Sequence, residues 1–277
     1  MKVKIITITT IILLAGVNMF ASDLSSLNDE FDKSSDLKAW QHFHEVEGWP
    51  NRIDSIKVDN GSLLIEPKVS AWVADLQGVF LFKDITGDFI VTTRVHVNGK
   101  NSEKSKNDWA LAGLMARTPK EETKENWKAN TENWVYLMHG KSPYPLRGSI
   151  TDSKSNVNSK WDADLTGSKN GLELAIVRIG SLFVTMRKFP GKKWVILDRF
   201  IRKDMPKTLQ VGINAAVCNE LYRISDFEFN ARTSYFKDEI PDMTSKFDYV
   251  HYRRPNIKTT LNEKRRDKEL LSILGNE

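Results

Sequence analysis

The chain is poor in cysteine, in histidine and in long apolar runs, and each shortage excludes something. Cys218 is the only cysteine among 277 residues, so no internal disulfide and no cysteine-based metal site can be built. Only five histidines are present, and no metal or other cofactor is expected. A calcium held by loop carboxylates and carbonyls would leave no clear trace. The apolar run Ile5 to Val17 falls short of the roughly 20 residues that cross a bilayer, so no stable membrane insertion is expected. A basic surplus is lacking as well. The formal charge of +5 includes Lys2 and Lys4, and without them 39 basic residues face 36 acidic ones. A nucleic-acid partner, which needs a basic stripe, is not indicated.

Lys2 and Lys4, the apolar run and the small residue Ala21 form a signal peptide over residues 1–21. The protein is therefore expected to be exported, to the periplasm or outside the cell. About 256 residues remain, enough to bury a core without covalent staples. Residues 22–230 are expected to form one β domain, and residues 231–277 an extension packed along its outside.

What is present is a series of short alternating runs. In Gly87–Val97, Phe89, Val91, Thr93, Val95 and Val97 share one strand face, while Ile90, Thr92, Arg94, His96 and Asn98 share the other. Trp109–Arg117 and Asn133–Gly140 are also strand-like. Asn60-Gly61 between two alternating runs predicts a hairpin over residues 56–66. Trp72–Phe82, Leu172–Ile179, Leu182–Arg187, Trp194–Phe200, Leu209–Val217 and Ile224–Phe229 add further predicted strands, and a short one lies around Arg147–Thr151. The polar stretches 98–108 and 118–132 are expected to be solvated loops, and Leu261–Leu274 a terminal helix. At least ten strands with turns between them predict an all-β antiparallel sandwich.

Several local patterns sharpen that expectation. Asp29-Glu-Phe-Asp32 with Trp40, Asn60-Gly-Ser-Leu-Leu-Ile65, Gly87-Asp-Phe89 and Ala112-Gly-Leu-Met115 come first. Val177-Arg-Ile-Gly180 leading to Pro190-Gly-Lys-Lys-Trp194, Val211-Gly-Ile213 and Asp226-Phe-Glu-Phe229 follow. Together they resemble the concanavalin A-like lectin/glucanase superfamily, in particular the sandwich modules appended to bacterial β-xylosidases and their stand-alone relatives of unassigned function. The resemblance covers roughly residues 27–230 and implies a jelly-roll sandwich and a saccharide partner. The glucanases of the superfamily carry a Glu-x-Asp-x-x-Glu strand, which this chain lacks. Retaining hydrolysis needs two carboxyl groups about 5 Å apart.

Sandwich-fold polysaccharide lyases use Arg, Asn or Gln, His and Tyr instead. Removing the proton beside a uronate carboxylate builds charge that a cation must neutralise, while one residue takes the proton and another protonates the leaving oxygen. Arg94-Val-His96 is similar to the Gln-Ile-His element of alginate lyase-like sandwiches. β-Elimination on a uronic acid-containing oligo- or polysaccharide is therefore expected, as lyase or dehydratase. A non-catalytic carbohydrate-binding module and a glycoside hydrolase are the alternatives. In this scheme Arg94 and Arg117 hold the carboxylate, and His139 or His96 is the base. Tyr136 or Tyr222 is the acid. Asn133 and Arg147 add polar contacts, and Trp109 and Trp134 stack on sugar rings. Tyr136 and His139 differ in parity, so a regular strand would turn them to opposite faces.

Overall fold

The computed structural model describes residues 23–141, 149–155, 159–164, 171–218, 224–232, 241–256 and 267–275. Residues 1–22, where the signal peptide is expected, and Arg147 and Tyr222 lie outside these residues. Fourteen strands are described. In chain order they begin with β1 (Gln41–His42), β2 (Ile53–Val58), β3 (Leu63–Pro67), β4 (Val79–Thr86) and β5 (Phe89–Asn98). Next come β6 (Leu111–Arg117), β7 (Trp134–Lys141), β8 (Ser149–Ser155), β9 (Ser159–Asp164) and β10 (Leu172–Ile179). The last are β11 (Leu182–Lys188), β12 (Val195–Ile201), β13 (Thr208–Ala216) and β14 (Thr244–Arg253). Three short α-helices accompany them, besides three 3-10 turns: α1 (Phe43–Glu47), α2 (Asp226–Ala231) and α3 (Asp267–Ser272).

The strands form two seven-stranded sheets. The first runs β1-β4-β13-β6-β7-β8-β9 and the second β12-β11-β10-β5-β14-β3-β2, and every pairing between these strands is antiparallel. Alternation decides which side of each strand is buried between the sheets. On β13 Leu209, Val211, Ile213 and Ala215 face inward, joined by Leu114 of β6 and Leu137 of β7. Opposite them stand Phe89, Val91 and Val95 of β5 and Leu174 and Ile176 of β10. The expected division of β5 into an apolar face and an Arg94/His96 face is therefore present. The Asn60-Gly61 hairpin is present too, with both residues left-handed and Val58 paired to Leu63.

Three expectations need correction. Residues 226–229 are helical rather than extended, because Ser225 and Glu228 form a capping box that starts α2. Residues 72–78 are a loop, and the strand begins only at Val79. The tail is not all extension: β14 lies inside the second sheet between β5 and β3. Its Phe247, Val250 and Tyr252 join the inter-sheet core through a register shift between Phe247 and Val250. Only beyond it does the chain pack outside, where Leu270 of α3 meets Ile90, Val177 and Val184 on the outer face of the second sheet.

Candidate functional site

The outer face of the first sheet is unusually aromatic. The residues alternate to those of the core are Phe80 and Phe82 on β4, Met115 on β6, and Trp134, Tyr136 and Met138 on β7. Phe43, Trp49 and Trp72 close over them from loops and from α1. Trp72 is seated by its indole N–H, which donates to the Val79 carbonyl at 3.2 Å. It lies so close to Gly78 that a Cβ there would come within 2.8 Å of Nε1.

Between Trp72 and Trp109 the closure is incomplete and leaves a cavity of about 190 Å³. Tyr136, Met138 and Asp152 line it along with the two indoles. The Tyr136 hydroxyl donates to Asp152 Oδ2 at 3.0 Å, and the phenol stacks on Trp134 at 4.9 Å. Burial, then the neighbouring Asp152 charge, push the Tyr136 hydroxyl well above its ordinary value. It is a proton donor at physiological pH and cannot act as a base. Two residues on the loops around the cavity, Ala74 and Trp109, hold left-handed backbones with φ of 51° and 52°. Such strain in non-glycine residues costs on the order of 1–3 kcal/mol and concentrates at ligand sites.

The far end of the same face is closed by charge. Arg117 is fully buried and all five of its N–H donors are engaged. Nη1 and Nη2 reach Glu47 at 2.6 and 3.1 Å. Nε and Nη2 reach Glu132 at 2.8 and 2.9 Å, and Nη1 reaches Gln210 at 2.9 Å. Lys120 adds a second cation 3.1 Å from Glu132. The expected role for Arg117, holding a substrate carboxylate, does not fit: no donor is left and no water reaches it.

The other sequence candidates are scattered. His139 is turned away from the cavity, as its parity requires, and lies 5% exposed between the sheets with Nδ1 3.5 Å from Thr151 Oγ1. Arg94 and His96 stand on the outer face of the second sheet. There Asp248 accepts from His96 at 3.1 Å, and Glu173 and Asp248 lie 3.3 and 3.8 Å from Arg94. Asn133 is bound to Asp204 and Arg202. Trp134 is 1% exposed and cannot offer a ring to a sugar. Of the described candidates only Trp109 and Tyr136 line the cavity, while Arg94 and His96 share Asp248 on the other sheet. Cation, base and acid are not assembled by these residues.

Two features escaped the sequence. Asp152 lies just past the short strand expected around Arg147–Thr151, and it belongs to β8, which runs from Ser149 to Ser155. His42-Phe43-His44-Glu45 carries the His-x-His spacing that is the ordinary sign of a metal ligand pair. It places a ligand atom of His42, His44 and Glu45 within 4.8 Å of one another. Burial, and then His42, lower the pKa of His44.

Neither a protein-family model nor a curated protein matches this sequence. Among solved structures, a functionally unknown protein from Saccharomyces cerevisiae is 13% identical over 79% of this chain and 98% of that one, with a TM-score of 0.50. A laminarinase from Flavobacterium sp. UMI-01 is 12% identical over 82% of this chain and 98% of that one, also at 0.50. A xylan β-1,4-xylosidase from Bacillus halodurans C-125 is 13% identical at a TM-score of 0.48, and the match spans 39% of that chain. At such identities the likeness carries the fold and nothing finer. Two antiparallel sheets stacked on one core, with the likeness to the first two of these structures, give this chain a concanavalin A-like β-sandwich fold.

Proposed function

We propose that this is an exported carbohydrate-binding protein that seats a single sugar ring against Trp109, in the cavity walled by Trp72, Tyr136 and Asp152. The carrying observation is Trp109 itself, a half-buried indole held in a left-handed backbone at the mouth of a cavity. Indole faces bind the apolar faces of sugar rings, and the Tyr136 hydroxyl, its proton held by Asp152, offers an oxygen acceptor to a ring hydroxyl. The cavity is below the ~300 Å³ at which drug-sized pockets begin, which suits one ring rather than several. Lys2, Lys4 and the apolar run after them support export, which would bring the protein to extracellular glycans.

The ligand is a neutral saccharide rather than a uronate. Among the described residues that line the cavity, Asp152 is the one with a carboxylate and none is cationic, so a sugar acid would meet repulsion there. The same single carboxylate argues for binding over hydrolysis, which requires a pair. Elimination loses its support with the dispersal of Arg94, Arg117 and His139.

A panel of neutral and uronate-bearing oligosaccharides, followed by calorimetry and by time-resolved product analysis, tests this. The expected result is saturable binding of a neutral sugar with every substrate left intact. New reducing ends would make the protein a hydrolase, and unsaturated products absorbing in the ultraviolet would restore elimination. Trp109→Gly removes the ring while relaxing the strained φ, so unfolding free energy should change little. Affinity should fall at least about tenfold, as for loss of an aromatic anchor. Unchanged affinity would move the site elsewhere.

A further inference from the structure

The edge of the first sheet carries a side-chain cluster that the cavity does not use. β1 pairs with β4, His42 opposite Leu81, and the chain then turns into α1 at Phe43. Two positions in this turn are locked. Phe43 is 2% exposed, its ring 5.6 Å from that of Trp72 and 4.6 Å from the Arg117 guanidinium. Glu47 is clamped by two nitrogens of the same arginine. Of the three chemistry-bearing residues, His42 and His44 flank Phe43, and Glu45 lies two residues before Glu47. The two imidazoles meet edge to face at 5.5 Å and 87°, and His44 Nε2 lies 3.7 Å from Glu45 Oε1.

We infer that His42, His44 and Glu45 form a binding site for a divalent first-row transition ion, of which zinc is the expected occupant. Two imidazole nitrogens and one carboxylate oxygen are a zinc donor set, and three protein ligands leave the fourth tetrahedral position to water. Zinc bonds of about 2.0–2.2 Å bring donors closer together than the 4.8 Å limit within which these three lie. Glu45 can make up the difference by rotation, because 68% of its side chain is exposed. The histidines need little movement, since Phe43 between them is fixed in the core. Calcium and magnesium are disfavoured, because they require six or more oxygens and this cluster supplies one carboxylate. Lys68, the nearby cation whose charge reaches His44, directs its ammonium to the Asn51 carbonyl at 3.3 Å and leaves the carboxylate to the metal.

Calorimetric titration of the untagged protein with zinc chloride tests this directly. One saturable site is expected, with no heat from calcium chloride under the same conditions. His42→Ala and His44→Ala should each weaken zinc binding by at least the roughly 10–100-fold that loss of even a supporting partner costs. Glu45→Gln should weaken it less. Zinc should raise the thermal midpoint of the parent protein and not of the variant that combines His42→Ala with His44→Ala, because only the native state presents the cluster. If an alanine variant fails to fold, His42→Asn with His44→Gln keeps the side-chain volume and gives the same readout. Absence of saturable zinc binding in the parent would overturn the inference. So would undiminished binding in the double variant, which would put the ion at another group.

Discussion

Replacing Arg117 by methionine should lower the unfolding free energy by about 3–5 kcal/mol, the loss found when one partner is removed from a buried ion pair. Methionine keeps the apolar contact with Phe43 but leaves Glu47 and Glu132 facing each other without the cation between them. Burial works against the Glu132 charge. Arg117 first, then Lys120 and Gln77, overcome it and hold the carboxyl at about 2. For Glu47, burial dominates and raises the carboxyl despite Arg117. The two differ because only Glu132 has further donors, so its direction governs the acid limit. A carboxyl held below its unfolded value of 4.5 contributes stability that is complete above that pH. The contribution drains away as pH falls towards 2. Urea unfolding at pH 7 should show the full loss in Arg117→Met, and in the parent the free energy should decline from pH 4.5 downward. A loss below about 1 kcal/mol would mean that the network is solvated rather than sealed.

That network explains why the sequence misread its own cation. Arg117 on a strand looks like a substrate clamp until Glu47, 70 residues earlier, and Glu132 are folded against it. Parity is legible from sequence, and it correctly turned Tyr136 and His139 to opposite sides. What parity cannot state is which of the sandwich's outer faces a strand presents. Arg94 and His96 therefore ended on the far sheet from Tyr136. Hairpin chemistry at Asn60-Gly61 is local and was readable. The helix at Asp226 was readable in principle from Ser225 and Glu228, but an alternating Phe-x-Phe hid the cap. The strand Thr244–Arg253 was legible only as aromatic and basic, because its partners β5 and β3 lie some 150 residues upstream or more. Trp72 and Asp152 share the same obstacle. The cavity exists only where a loop, β7 and β8 converge, and no single stretch of chain contains it.

Asn214→Leu should stabilise the protein by about 1–3 kcal/mol, against the usual direction of core substitutions. Asn214 sits on β13 opposite Phe80 of β4 and Gly113 of β6, on the outer face of the first sheet. It is fully buried, and neither its amide nitrogen nor its amide oxygen has a hydrogen-bond partner. A buried polar group without a partner forfeits its hydration with nothing in return, at about 1–3 kcal/mol per site. Leucine matches asparagine in branching and sets apolar surface against Phe80, Phe82 and Met115, so the penalty is removed and apolar burial is gained. Thermal and urea unfolding of the variant should both move upward. A loss of stability instead would show that the amide is satisfied in solution by an enclosed water. Saccharide affinity gives the second reading, since Asn214 does not line the cavity between Trp72 and Trp109. Binding unchanged in a stabilised variant leaves the amide a relic of packing. Binding lost together with a gain in stability would mean that the sugar penetrates below Tyr136 and that Asn214 is held unpaired to receive it.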